Sequence, residues 1–519
     1  MQRLPIGQQD FRTIRREGKL YIDKTELIAE LVDVAKFIFL SRPRRFGKSL
    51  TLTTVKYLFE GERELFEGLW IADRWDWERR YPVLHFQFNS ISYQVEQLSE
   101  SIQSILNRMA DNFSVDLSGQ TLAERFESLI HGVHHQHGPV VLLIDEYDKP
   151  IIDFLGADKL DKARQNQRVL KSFYSVVKSS DAYLRFFMIT GVSKFTKVGV
   201  FSDLNNLYDI SLSPKFATLA GLTEAEVVQH FSDRISKLAG DTSSAEDFLQ
   251  RIRDRYNGYA FAPNAVRVYN PFGLLAFMED GLFRNFWFAT GTPTFLIKLL
   301  RNRYVYDLAP QQLSAIGFES YDLERLETVP LLYQTGYLTI RDYSDLKDVF
   351  TLDYPNTEVK ESMLSHLLGA YAHQDATRST PYVLRLEQAL RQGDLTEVRY
   401  IIDELFASIP YQLFIGAKEN LYHAIIHVAF TYLGQYVQSE VSSLRGRLDA
   451  AVVVDRTGYL FEFKLDGDAK AALQQMRERG YRSGLPPEVE RVVGIGVNFG
   501  SQEKRVTGWE VGEVALGGY

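Results

Sequence analysis

The chain has 519 residues, with 59 lysines and arginines against 67 aspartates and glutamates, a formal net charge of −8 and no cysteine. That length exceeds what one hydrophobic core supports and implies two or three domains. The missing thiols exclude a disulfide framework and thiolate metal sites, and the acidic balance argues against a constitutive nucleic-acid coat. DNA contact must then come from local patches, such as Arg445 with Arg447 or the arginines of 477–482. Residues 1–24 hold no apolar h-region and no apolar run approaches membrane-spanning length, which reads as a cytoplasmic protein.

The first chemistry in chain order lies at 36–49. Lys36-Phe-Ile-Phe-Leu-Ser41 reads as a short buried strand, Arg42-Pro-Arg-Arg-Phe-Gly-Lys-Ser49 as a loop, and 50–58 as a helix. Gly-Lys-Ser between a strand and a helix is the working end of a phosphate-binding loop, because amides at a helix start face the phosphates. Lys48 is placed to reach the outer phosphates and Ser49 to bind magnesium, with Arg44, Arg45, Phe46 and Gly47 completing the nucleotide-binding loop. Arg42 stands where the first glycine of Gly-x4-Gly-Lys-Ser belongs.

Pro139-Val-Val-Leu-Leu-Ile-Asp-Glu146 is an apolar run ending in two acids, the pattern of a buried parallel strand. Its tip would present Asp145 to magnesium and Glu146 to the water that attacks the γ-phosphate. A third buried strand, 184–190, ends in Thr190, a polar residue able to sense that phosphate. Further on, Thr223-Glu-Ala-Glu226 is a capping box opening a helix with Val227, Val228, Phe231, Ile235 and Leu238 inward. Helices follow over 247–256, and the stretch to about residue 360 mixes short strands with helices, as a lid and winged-helix-like extension would. Pro381 opens the next segment, where Asp394-Leu-Thr-Glu397 caps a helix running through Phe406.

Near the C-terminus, 450–454 and 459–465 are rich in β-branched and aromatic residues, and Asp455-Arg-Thr-Gly458 between them is turn chemistry. A turn centred between Arg456 and Thr457 puts Asp449 opposite Lys464 and Ala451 opposite Glu462. Paired residues share a face, so Asp449, Glu462 and Lys464 would crowd together; a three-residue loop would separate them. Two carboxylates so placed suit magnesium, the Phe463 carbonyl is near enough to be a further ligand, and a lysine point charge suits the attacking water or the charged phosphate. By itself an acid-x-Lys triplet recurs by chance; Asp449 on the partner strand and Gly446-Arg before it carry the reading.

The region 411–509 resembles the PD-(D/E)XK nuclease superfamily, in the form found fused to an AAA-ATPase-like domain. The matching pieces are Glu419-Asn-Leu-Tyr-His423, Ser439-Glu-Val, Gly446-Arg-Leu-Asp449, Phe461-Glu-Phe-Lys464, Ala472-Leu-Gln-Gln-Met476, Gly480-Tyr481 and Gly494-Ile-Gly-Val-Asn-Phe499. The resemblance implies Asp449 and Glu462 as metal ligands, Lys464 as the catalytic lysine and Gln475 as a supporting polar residue. Glu419 is either an added metal carboxylate or a solvated acid at a helix start, and Glu440 is read as structural. Residues up to about 360 resemble the AAA-ATPase-like domain that accompanies these nucleases. The resemblance there rests on Leu4-Pro-Ile-Gly7, Tyr21-Ile-Asp-Lys-Thr25, the Arg42–Ser49 loop, Ile144-Asp-Glu-Tyr-Asp148 and Thr190-Gly-Val-Ser-Lys194. Phe201-Ser-Asp-Leu-Asn-Asn-Leu207, Tyr256-Asn-Gly-Tyr259 and Tyr333-Gln-Thr-Gly-Tyr-Leu338 continue it. That family carries the same Arg-Pro-Arg-Arg-Phe-Gly-Lys-Ser, so the absent glycine is its pattern.

The expected architecture is α/β: an AAA-like P-loop NTPase core over 1–210, a lid and winged-helix-like extension over 211–375, a helical connector over 376–410, and a restriction-endonuclease-like α/β domain over 411–519. The expected function is an ATP-dependent or ATP-gated nuclease that cleaves DNA with magnesium, or manganese at the nuclease site. The alternative is a nucleotide-switched nucleic-acid-binding or assembly module without cleavage activity, whose ATPase sets assembly state while the nuclease fold only grips nucleic acid. ATP and nucleic acid are the expected partners, with no membrane and a homo-oligomer left open.

Overall fold

The computed structural model describes all residues except 1, 91–96, 157–158, 195–205, 241–243, 288–293, 320–326, 373–374, 408–418, 434–435, 444–445, 480–484, 504 and 515–519. The described chain divides into two compact units, one of Met1–Thr290 with Ala309–Val359, the other of Gly291–Leu308 with Lys360–Tyr519. No helix among the described residues is long and apolar enough to cross a membrane.

The first unit is built on five parallel strands in the order β2-β3-β4-β1-β5. They are β1 (Phe37–Ser41), β2 (Val83–Gln87), β3 (Val140–Asp145), β4 (Leu184–Gly191) and β5 (Tyr208–Asp209). Every residue of β3 is buried, which is why its sequence reads as an unbroken apolar run rather than an alternation. The register pairs Leu40 with Thr190 and Ile144 with Ile189. Consequently β4 separates the strand entering the phosphate loop from the strand ending in Asp145, and all three C-terminal tips lie along one sheet edge.

Beyond the sheet, Thr223 and Glu226 form the expected capping box, with Thr223 N–H donating to Glu226 Oε2 at 2.7 Å. The helix Glu224–Ala239 buries Val227, Phe231 and Ile235. Val228, expected inward, is 45% exposed, although its helical angle falls between those of buried Ile235 and Ala239; the helix periodicity does not explain its exposure. Two short pairings follow the sheet: β6 (Leu222–Thr223) with β7 (Val268–Tyr269), and an antiparallel sheet β8-β10-β9 from Gln311–Ser314, Val349–Asp353 and Thr339–Ser344.

The second unit centres on a mixed sheet in the order β11-β12-β13-β14-β15, formed by Tyr436–Ser443, Gly446–Val454, Thr457–Leu465, Arg491–Gly500 and Arg505–Glu513. Only β13 and β14 run parallel. Gly496 on β14 lets the helix Ala469–Arg479 lie directly on the sheet, since a Cβ there would meet the Ala469 carbonyl at 2.1 Å. The helix Ala376–Gln392 contains Pro381 in its interior rather than beginning at it; five residues of helix precede the proline. Asp394 caps the helix Leu395–Ala407 as expected, accepting from Glu397 N–H at 3.0 Å. These two helices are part of the second unit's core: Tyr459 donates to the Leu390 carbonyl at 2.8 Å, and Phe406 packs on Phe499 at 4.4 Å between centroids.

Candidate nucleotide pocket and nuclease-like site

The phosphate loop owes its shape to two left-handed residues, Arg45 at φ 68° and Gly47 at φ 98°. Gly47 caps the helix Lys48–Phe59, which therefore starts two residues before the expected 50–58. Phe46 anchors the loop in an aromatic nest, 4.7 Å from the Tyr259 ring and 5.1 Å from Phe261. Gly336, at φ 85°, permits close approach from the other side, because a Cβ there would stand 2.8 Å from both Pro43 and Trp287. Tyr259 and Gly336, from two motifs far along the chain, thus pack against this loop.

Lys48 is buried and donates to the carbonyls of Arg42 and Pro43, each at 2.9 Å. Burial pushes its pKa down, while Glu146, Asp145 and Asp148 pull the other way. Asp145, fully buried at the tip of β3, accepts a hydrogen bond from Thr190 Oγ1 at 2.7 Å. Glu146 turns sharply at φ 53°, and burial raises its pKa against the opposing effect of Lys48. Asp148, not anticipated as a site residue, is buried and takes the amide hydrogens of Val192 at 2.9 Å and Ser193 at 2.5 Å. Its pKa is pushed up to about 6, by burial above all. The sequence signal was available as the third acid of Asp145-Glu-Tyr-Asp148.

A cavity of about 330 Å³ opens on the loop, bounded by Arg44 to Thr51 and by Glu146. Its remaining walls are largely apolar and come from four further segments: Pro5–Gln9, Leu20–Ile28, Leu219–Leu222 and Pro271–Leu275. Arg45 lies over the Phe272 ring at 3.8 Å. Sequence reading placed the phosphate end and missed these walls, whose signal was the Leu4-Pro-Ile-Gly and Tyr21-Ile-Asp-Lys segments.

In the second unit, β12 and β13 join through a two-residue loop, Asp455-Arg456, with Val454 opposite Thr457 and Ala450 opposite Phe461. The expected pairing of Asp449 with Lys464 and Ala451 with Glu462 is therefore two residues out of register: Ala451 faces Leu460, and the ladder continued by one step brings Asp449 to Glu462. Asp455 takes the left-handed turn position at φ 53°, which aspartate tolerates, so the turn closes earlier than placed. The even loop length survives, and with it the shared face.

On that face Glu462 is almost wholly buried, and its Oε1 accepts from Gln475 Nε2 at 2.7 Å and from Lys464 Nζ at 3.2 Å. Lys464 remains one-third exposed. Asp449 Oδ2 accepts the Phe463 amide hydrogen at 2.7 Å. The structure thus brings Asp449, Glu462, Lys464 and Gln475 together. Glu419 begins the helix Glu419–Tyr432, but its side chain, like those of Glu440 and Arg447, lies outside the described residues, as do Arg445, Gly480 and Tyr481.

Both places fit a hard divalent ion. Asp145 Oδ2 is buried and has no hydrogen-bond partner among the described residues, which suits a cation beside phosphate. On the hairpin two carboxylates would offer hard oxygen donors to an ion that keeps several waters; among the described residues no three His, Asp or Glu side chains form a closed cage.

Together these features define a P-loop ATPase-like body and a nuclease-like mixed sheet on one chain. Residues 5–201 match the family described as Predicted AAA-ATPase, and residues 417–509 match the PD-(D/E)XK nuclease superfamily. The chain is 37% identical over 525 residues, spanning 98% of it and 99% of the relative, to a protein of Azotobacter chroococcum mcd 1 described as "Uncharacterized protein in vnfD 5'region". It belongs to the family that carries a predicted AAA-ATPase domain and a PD-(D/E)XK nuclease superfamily domain in one polypeptide.

Proposed function

We propose that this protein is an ATP-gated, divalent-metal-dependent nuclease that hydrolyses DNA phosphodiester bonds. The observation that carries the reading is the convergence of Lys464 and Gln475 on one oxygen of buried Glu462, with Asp449 bonded to the intervening Phe463 amide. In the same reading 1–210 is the ATPase core, 211–375 its lid and extension, 376–410 the connector and 411–519 the nuclease.

Asp449 and Glu462, with the Phe463 carbonyl and Glu419, would hold magnesium or manganese, which when bound supplies charge stabilisation at a phosphoryl oxygen and a more acidic water. Gln475 fixes the rotamer of Glu462, so the carboxylate does not have to be ordered when substrate arrives. Lys464 is exposed enough to meet solvent, and its ammonium orients the attacking water or offsets the charge that builds on phosphorus. Water adds, one P–O ester bond breaks, and a phosphate monoester and a hydroxyl leave.

In the ATPase body the apolar walls of the cavity seat the nucleoside and the amides at the start of the Lys48–Phe59 helix meet the phosphates. Lys48 exchanges its two loop carbonyls for phosphate oxygens, and Ser49 with Asp145 would hold magnesium. Glu146, with its raised pKa, is suited to take the proton of the attacking water.

The test is incubation of the full chain with plasmid, linear and single-stranded DNA, each with and without magnesium or manganese and ATP. Metal-dependent cleavage that responds to ATP supports the reading. Binding of DNA with no cleavage under any condition replaces it with the gripping module.

A further inference from the structure

Arg42 occupies the first-glycine position of the phosphate loop, yet it is among the largest fully buried side chains in the chain. Its guanidinium donates to three backbone carbonyls, Ser41 at 2.9 Å, Ser211 at 2.7 Å and Phe216 at 3.2 Å. Phe261 lies under it at 4.2 Å. Its own backbone N–H continues the pairing of β1 with β4, donating to the Gly191 carbonyl at 3.2 Å. Its carbonyl is one of the two that hold Lys48. Burial lowers the pKa of this guanidinium only to about 10, so the group stays charged at neutral pH.

A glycine at this position would leave the loop entrance free to move. Here a planar fork of donors ties that entrance to the segment after β5 and, through Phe261, to the aromatic nest that also holds Phe46. Ser211 and Phe216 belong to a different stretch of chain from the loop, so the tie is tertiary rather than local. Arg42 does not itself line the main cavity, and it meets that cavity's wall through its carbonyl on Lys48; its side chain lines a separate cavity of about 130 Å³ behind the loop, with Lys194, Asp209 and Tyr333.

We propose that Arg42 is a positioning residue for nucleotide binding: it replaces the flexibility of the missing glycine with a fixed strut that sets the carbonyls of Arg42 and Pro43, and through them the resting place of Lys48. This rests on the phosphate-loop reading above. It also accounts for why the loop tolerates a bulky residue where the usual pattern has glycine, since the side chain leaves the loop on its far side.

The experiment measures ATP binding with magnesium by titration calorimetry on the full chain, for the parent, Arg42→Gly, Arg42→Ala, Arg42→Lys and Phe261→Leu, with Lys48→Ala as control. Arg42→Gly restores the ordinary loop pattern and is expected to weaken ATP by about tenfold or more, as is Arg42→Ala, whereas Arg42→Lys keeps charge without the fork and falls between. Guanidinium chloride at millimolar concentration, which can enter the cavity behind the loop, is expected to restore much of the affinity of Arg42→Ala, and urea is not. A folded Arg42→Gly or Arg42→Ala that binds ATP within about twofold of the parent overturns the proposal. So does loss of affinity that guanidinium fails to restore, which marks Arg42 as a general brace. If both truncations fail to fold, Arg42→Lys and Phe261→Leu decide: weakened ATP binding in a folded protein supports the strut, and parent-like binding removes it. A parent that binds no ATP defeats the phosphate-loop reading itself, and is told apart by that.

Discussion

Asp449 accepts the backbone N–H of Phe463 through Oδ2 at 2.7 Å, so one carboxylate of the hairpin secures the strand that carries the other. Charge and hydrogen bonding are thereby combined in a single side chain. Asp449→Asn keeps an acceptor for that amide and loses the charge; Asp449→Ala loses both. Cleavage should fall by about 100-fold or more in each, through lost metal affinity. Only Asp449→Ala should also lose stability, by about 1 kcal/mol, because it removes that hydrogen bond. Urea unfolding beside a cleavage assay separates the two effects, and equal cleavage by Asp449→Asn and the parent would remove the metal-ligand role.

Lys464 distinguishes cutting from gripping. Its ammonium contacts Glu462 at 3.2 Å but is one-third exposed, so its removal leaves Glu462 still held by Gln475. Lys464→Ala should therefore lower cleavage by about 100-fold or more while DNA affinity changes by less than about threefold. Parallel fluorescence-anisotropy and plasmid-nicking measurements check this. Equal losses in both would show that the lysine grips DNA.

The nucleotide pocket gives a matched pair. Lys48→Ala removes the buried ammonium that must meet phosphate and should weaken ATP by about tenfold or more. Glu146→Gln retains size and hydrogen bonding but cannot take a proton; turnover should drop by about 100-fold with ATP affinity preserved. Phosphate release and calorimetry together test both. A Glu146→Gln variant that turns over normally would move the base elsewhere.

Legibility in the sequence followed the range of the forces involved. The three buried strands were readable because a strand covered on both faces has an unbroken apolar run, and Gly47-Lys48-Ser49 was readable because helix-start chemistry is local. The hairpin face was recovered but its register was not: Asp455-Arg-Thr-Gly458 offers several turn placements, and only the pairing of Val454 with Thr457 chooses among them. The cavity walls at 5–9, 20–28, 219–222 and 271–275 meet solely through tertiary packing, so no spacing rule could assemble them. Gln475 reached the site through resemblance alone, since a glutamine in a helix carries no spacing signal of its own.

His427 provides a pH prediction in the second unit. It is buried in the helix Glu419–Tyr432, with its Nδ1 lacking a hydrogen-bond partner among the described residues. Asp307 lies 3.9 Å from Nε2 but is largely exposed, so water screens it, and burial lowers the imidazole pKa from 6.5 to about 4. A base whose folded pKa is depressed contributes stability above its unfolded pKa and loses it as pH falls toward the folded one. Linkage gives a loss of about 2 kcal/mol between pH 7.5 and pH 5. His427→Gln should lack that component, so the difference in unfolding free energy between parent and variant should narrow or reverse across this window. A constant difference would show that His427 titrates normally.

The final prediction concerns coupling between nucleotide and DNA. If ATP alters DNA affinity, DNA must alter ATP affinity by the same factor, because the two binding free energies share one thermodynamic cycle. Separating the nuclease by cutting the chain at 380 would be a poor test: the second unit also includes residues 291–308 and 360–379, and Tyr371 donates to the Leu300 carbonyl at 3.3 Å. Point variants in the intact chain avoid this. ATP affinity measured with and without a non-cleaved duplex, in a Glu462→Gln background, should shift by about fivefold or more, and DNA affinity with and without ATP should shift equally. Glu146→Gln, which holds ATP unhydrolysed, should then fix cleavage at its ATP-bound level, and Lys48→Ala at its nucleotide-free level. Identical cleavage by the parent, Lys48→Ala and Glu146→Gln, with and without ATP, would mean that two independent enzymes share one chain, and gating would have to be abandoned.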